Sequence, residues 1–200
     1  MTESYIQLPA DSTGKKLRTR QRVVGADTVE EQYSVAASLP TYYFWSGYSA
    51  GAANKIYLDV FNASGSGKVL RLRKLFVQST VAAVTGVGFQ FDLDRTTAAG
   101  TGGTVLTGNP ADTADGALPA QVTARTVPTG GATKQLTLFP VTLSSEETQA
   151  GAHFNWAHNV IPESPEVKEP IIREGQGVRL VQITSSTAGT WGVLAVVTTD

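Results

Sequence analysis

Several short stretches of this chain place chemically capable residues at familiar spacings. Gly47-Tyr48-Ser49-Ala50-Gly51 has the Gly-x-Ser-x-Gly spacing of a nucleophile elbow, which presents a serine on a tight strand-to-helix turn. Ala52, Ala53 and then a strand pattern follow it, so the helix an elbow needs is missing and the stretch reads as a turn after an aromatic strand. Ser64-Gly65-Ser66-Gly67-Lys68 has the glycines and lysine of a phosphate-binding loop. Asn62 stands where the first glycine is required, Val69 where the Ser or Thr is required, and a strand follows in place of a helix with its dipole. Gly100-Thr101-Gly102-Gly103 has Val105 at the third glycine of a dinucleotide fingerprint. Ser12-Thr13-Gly14-Lys15 has the Ser-x-x-Lys spacing of some acyl enzymes, in a polar stretch where nothing preorganises it.

His153 and His158 are the only histidines, and a separation of five in a strand pattern sends them to opposite faces, away from a shared metal. Asp92 and Asp94 share a face, with Asp59 in a similar pattern, as a calcium site or a glycosidase pair would require. Alternating charges along residues 88–95 read instead as the solvent side of a strand. The absence of cysteine excludes disulfide scaffolds, zinc ribbons, iron–sulfur ligation and thiol nucleophiles. The expectation is a protein that is not an enzyme and uses no cofactor and no metal.

Sixteen basic and 17 acidic side chains leave a net charge of −1, which offers no general attraction to nucleic acid. Charged residues make up 16% of the chain, against roughly 25% in ordinary soluble domains, so Thr, Ser, Gly, Ala and Asn must cover much of the surface. No apolar run approaches the ~18 residues of a membrane span, and residues 1–10 lack the basic and apolar regions of a signal peptide. The expected chain is soluble, has no targeting address, and has neither nucleic acid nor membrane as partner.

The elements that must position these groups show a period of two from residue 41 onward. Phe89, Phe91 and Leu93 alternate with Gln90, Asp92 and Asp94, so one face is core and the other is wet. Residues 55–61, 68–78, 135–143, 153–161, 177–184 and 190–198 read as further strands, with Ser/Gly-rich turns at 62–67, 85–88 and 185–189. The fold class expected is all-β: an antiparallel β-sandwich over residues 41–200, either a plain sandwich or a jelly roll, with Leu70, Leu72, Phe89, Phe91, Leu93 and Val193 in its core. Residues 98–131 form a Gly-, Thr-, Ala- and Pro-rich excursion of a length that is usually either functional or ordered by contact with something else.

Residues 1–40 read as an extended arm outside the sandwich. Lys15, Lys16, Arg18, Arg20 and Arg22, followed by Asp27, Glu30 and Glu31, make a polar strip suited to pairing with a neighbouring subunit. Tyr42-Tyr43-Phe44-Trp45 places aromatics on both faces of one strand, and each face requires cover by a loop, a subunit or a ligand. The arm cations and these four aromatics are the candidate partner-binding residues.

The stretches 8–19 (Leu8-Pro9-Ala10-Asp11-Ser12-Thr13-Gly14-Lys15-Lys16-Leu17-Arg18-Thr19) and 24–33 (Val24-Gly25-Ala26-Asp27-Thr28-Val29-Glu30-Glu31-Gln32-Tyr33) resemble the opening of a group of small tailed-bacteriophage virion proteins. The hairpin Asn62-Ala63-Ser64-Gly65-Ser66-Gly67-Lys68-Val69-Leu70-Arg71 and the turn Arg173-Glu174-Gly175-Gln176-Gly177 are similar to theirs too. The resemblance implies a β-sandwich or jelly roll assembled on a virus particle, with no catalytic residue to carry over. A capsid decoration or cement protein that stabilises the assembled head is the expected function, and a tail or fibre module recognising a host-surface carbohydrate is the alternative. Its partners would be the major capsid protein or other virion subunits, with self-association as a homotrimer, in a virion assembled in the bacterial host cytoplasm.

Overall fold

The computed structural model describes residues 3–7, 16–24, 27–32, 39–81, 87–145, 153–157, 169–187 and 189–200. The chain divides into two compact units, residues 1–38 and 39–200. None of the described residues is helical.

In the first unit, β1 (Glu3–Gln7), β2 (Lys16–Val24) and β3 (Asp27–Gln32) form an antiparallel sheet in the order β1-β2-β3. The expected arm is therefore paired with itself. Its strip of cations is also a strand pattern, in which Lys16, Arg18, Arg20 and Arg22 occupy alternate positions of β2. The register sets Arg20 opposite Glu3 on one side and Glu31 on the other.

The second unit is built on eight strands: β4 (Thr41–Ala50), β5 (Ile56–Asn62), β6 (Leu70–Val81), β7 (Val87–Thr96), β13 (Lys134–Ser145), β14 (His153–Ala157), β16 (Gln176–Gln182) and β17 (Thr190–Thr199). Shorter strands lie between them: β8 (Gly100–Thr101), β9 (Thr104–Val105), β10 (Asn109–Pro110), β11 (Val122–Thr126), β12 (Gly130–Gly131) and β15 (Ile171–Ile172). One sheet runs β4-β17-β6-β14 and the other β13-β7-β16-β5, all antiparallel. Along the chain the eight strands switch sheet at every step except β7 to β13, which are neighbours, and this is the jelly-roll order of a β-sandwich. β10 borders β4, β15 pairs with β6, and β11 and β9 extend the second sheet beyond β5.

The core lies between the sheets, where the inward-facing apolar residues of their strands meet, and β5 and β17 are buried along most of their length. Trp191 is fully buried, with its ring centroid 4.7 Å from Phe89 and 5.2 Å from Phe91, and Phe91 stands edge-on to Tyr57 at 5.7 Å. Such aromatic pairs add about 0.5–1.5 kcal/mol each beyond the area they bury. Tyr57 donates its hydroxyl to Gln182 Oε1 at 2.8 Å, and burial pushes its pKa up to about 12. Leu70, Leu72, Phe89, Phe91, Leu93 and Val193 are all buried here.

The excursion after β7 is ordered by its own chain. Gly100–Thr101 pairs with Gly130–Gly131, Thr104–Val105 pairs with β11, and Asn109–Pro110 pairs with the start of β4. Residues 97–105 and 126–133 thereby form a strap held against the second sheet, where Gly100 N–H donates to Asp59 on β5 and Arg179 on β16 donates to Ala132 O.

Candidate functional site

β4 carries the aromatic run, and the burial of its residues alternates. Tyr42 and Phe44 are buried in the core, so these two candidates hold the sandwich together and are not available to a partner. Tyr43 and Trp45 occupy the other face, where Tyr43 is 40% exposed and Trp45 half-buried. Gly47 adopts φ +70°, and the register with β17 shifts between Gly192 and Leu194, where Ser46 Oγ accepts the Val193 N–H at 2.8 Å. A bulge of this kind re-aims the residues that follow it. The next aromatic, Tyr48, is 45% exposed and meets Trp45 edge-on at 5.1 Å.

The register arranges this face in rows across the sheet. Val196 of β17 lies between Tyr43 and Lys74, Leu194 between Trp45 and Phe76, and Gly192 between Tyr48 and Gln78. Gln78 Nε2 donates to the Tyr48 hydroxyl. Gly192 is required by close approach, because a Cβ there would lie 2.5 Å from Trp45 Cη2 and 2.9 Å from the Tyr48 ring. The result is a ridge of Tyr43, Trp45 and Tyr48 along one side of the sheet, with half-buried Leu194 and Phe76 beside it and Lys74 exposed beyond. Chemically it offers ring faces, two phenol hydroxyls and an amide, a surface suited to burial against another macromolecule.

The second sheet carries a feature that the alternation alone did not disclose. Arg125 of β11, Asp59 of β5, Arg179 of β16 and Asp94 of β7 stand side by side in register, a row of alternating charge. Asp59 and Asp94 are buried: for Asp94 this corrects the reading of its strand face as solvent-facing, and Asp59 lies against Gly100 of the strap. Asp94 receives Arg179 Nε and Nη2 at 3.2 and 3.1 Å through Oδ2, and the Thr137 hydroxyl at 2.9 Å and Lys134 Nζ at 3.0 Å through Oδ1. Asp59 receives only Gly100 N–H, at 2.7 Å through Oδ2, and its Oδ1 has no hydrogen-bond partner. Burial raises the Asp59 pKa, against the opposing pull of the Gly100 amide and of Arg179 and Arg125.

The loop motifs are engaged within the chain. The amides of Gly65 and Gly67 donate to Glu174 at 3.1 and 2.8 Å, so the glycine-rich turn that resembles a phosphate loop holds a carboxylate of its own protein. Those two amides lower the Glu174 pKa, with help from the Ser66 hydroxyl. Ser49 lies in β4 with no helix after it, and its buried Oγ has no hydrogen-bond partner to activate it. Gly102 and Gly103 take φ +67° and +66° in the strap, where the turn requires glycine. His153 opens β14 opposite Gln78, while His158, Ser12 and Lys15 lie outside the described residues. Among the described residues no group of three or more His, Asp or Glu side chains is gathered for a metal ion.

Comparison with protein-family models, with curated proteins and with solved structures returns no match to this chain.

Proposed function

We propose that this chain is a non-enzymatic structural protein of a tailed-bacteriophage virion, a decoration or cement protein that docks on the assembled head through the Tyr43–Trp45–Tyr48 ridge. The observation that carries the reading is the ridge itself: the core is closed by the other faces of the two sheets, yet Tyr43 and Tyr48 stay 40% and 45% exposed on one strand, with half-buried Trp45 between them. Exposed aromatics concentrated in this way are what protein interfaces enrich. The jelly-roll order supports the reading as a fold common among viral shell proteins, and the turn sequences at 62–71 and 173–177 support it by resemblance. The three-stranded unit of residues 3–32 supplies a second contact element, and self-association as a trimer belongs to the same proposal.

Mass spectrometry of density-banded particles, with immunogold localisation of the chain, tests it. Many copies per particle spread over the head support decoration, and absence from purified particles contradicts it. Jelly rolls also serve as lectin domains, and the Tyr48 hydroxyl beside the Gln78 amide has the groups a sugar ring requires, so label confined to the tail tip would favour the carbohydrate-recognising module.

A further inference from the structure

We propose that residues 97–105 and 126–133 form a proton-tightened strap over the second sheet, with Asp59 as its latch: protonation of Asp59 holds the strap down, and the ionised carboxylate leaves it poised to lift. The strap meets the row of charges beneath it through Gly100 N–H to Asp59 Oδ2 at 2.7 Å, Arg179 Nη1 to Ala132 O at 2.6 Å and Arg125 Nη1 to Gly102 O at 3.1 Å, and its ends are tied to the sheet by Val127 N–H to Ile56 O at 3.0 Å and by the pairing of Thr104–Val105 with β11. Its backbone is strained where it is fastened: Val127 takes φ +49° and Ala132 φ +46°, a left-handed conformation that a β-branched residue in particular resists. Lifting the span between those ends would relieve that strain.

Asp59 decides between the two arrangements. With the strap closed, its carboxylate is buried, accepts one hydrogen bond and leaves Oδ1 without a partner. With the strap lifted, water reaches both oxygens. The charged groups facing Asp59 are Arg125 from β11 and Arg179 from β16, with Asp94 one strand further on. The strap segments themselves carry no ionisable side chain, so the pH response comes from the sheet.

The direction follows from linkage. Burial raises the pKa of Asp59 in the closed form despite the two arginines, and exposure returns it toward its ordinary value. The closed form therefore binds the proton more tightly, and lowering pH through that raised pKa favours closure.

Native-state hydrogen exchange at the Gly100 and Val127 amides, which donate to Asp59 and to Ile56 O of β5, corrected for the intrinsic rate, reads the strap directly between about pH 7.5 and about pH 5. Each unit of pKa difference between the two forms lowers the open fraction about tenfold on acidification. Asp59→Asn, whose amide oxygen still accepts from Gly100, should give at neutral pH the protection the unsubstituted protein reaches in acid, with a flat profile. Arg125→Gln should retain the response and move its midpoint to higher pH, which keeps the test available if the first variant does not fold. Protection that stays constant or falls on acidification overturns the proposal, as does an Asp59→Asn protein that keeps the original profile.

Discussion

Arg179 reaches Asp94 through both Nε and Nη2, at 3.2 and 3.1 Å, and both donors meet the same carboxylate oxygen. The other oxygen is left for Lys134 and Thr137, so Asp94 is fully satisfied inside the protein while its neighbour Asp59 is not.

That arrangement makes Arg179 the costliest residue of the row to remove. Arg179→Met strands Asp94 with one cation and takes one of two from Asp59, and breaking a buried pair on one side costs about 3–5 kcal/mol. Denaturant unfolding of the two proteins measures it. A loss under about 1 kcal/mol would mean that the row behaves as an exposed ion pair.

Glu174 gives a response of opposite sign to that of Asp59. Its folded pKa is lowered by the Gly65 and Gly67 amides, so its contribution is complete above the ordinary carboxylate range and is lost as pH falls through the lowered value. The Gly65 and Gly67 amide resonances should shift together in that acid range, and Glu174→Gln should remove the transition. An unchanged titration in the variant would show that the turn does not depend on the carboxylate.

Much of the fold was legible because strands that are wet on one side advertise themselves. Phe89, Phe91 and Leu93 alternate with Gln90, Asp92 and Asp94, and β7 follows that alternation with its apolar residues inward. The burial of Asp94 was not legible, because an aspartate facing water and an aspartate enclosed by Arg179, Lys134 and Thr137 occupy the same strand parity. The signal that would have separated them is the sign pattern across strands, Arg125, Asp59, Arg179 and Asp94, which becomes visible only when the register is known. Pairing within residues 3–32 was obscured in the same way: the charges of β2 were conspicuous, while the alternation they share with Leu17, Thr19, Gln21 and Val23 was not. Along β4, Tyr43 and Trp45 were found from parity, but Tyr48 was not, since the bulge at Gly47 lies between it and the aromatic run.

Gly192 ties that ridge to the sheet. Gly192→Ala places a methyl group where the Trp45 and Tyr48 rings now lie, so both rings must swing outward and lose an edge contact worth about 0.5–1.5 kcal/mol. Tryptophan emission should move to longer wavelength with only a small fall in melting temperature. Emission identical to that of the unsubstituted protein would show that the rings do not rest on this position.

The docking role of the ridge is tested most directly by counting copies of the chain per purified particle, comparing the unsubstituted protein with a Tyr43→Ala, Tyr48→Ala double variant. Both side chains are substantially exposed, so the variant should fold with only the small fall in melting temperature that loss of the Tyr48–Trp45 edge contact brings. Loss of two aromatic anchors from an interface is expected to cut affinity by more than about tenfold. A matching fall in occupancy is the predicted result, and occupancy equal to that of the unsubstituted protein would contradict the account.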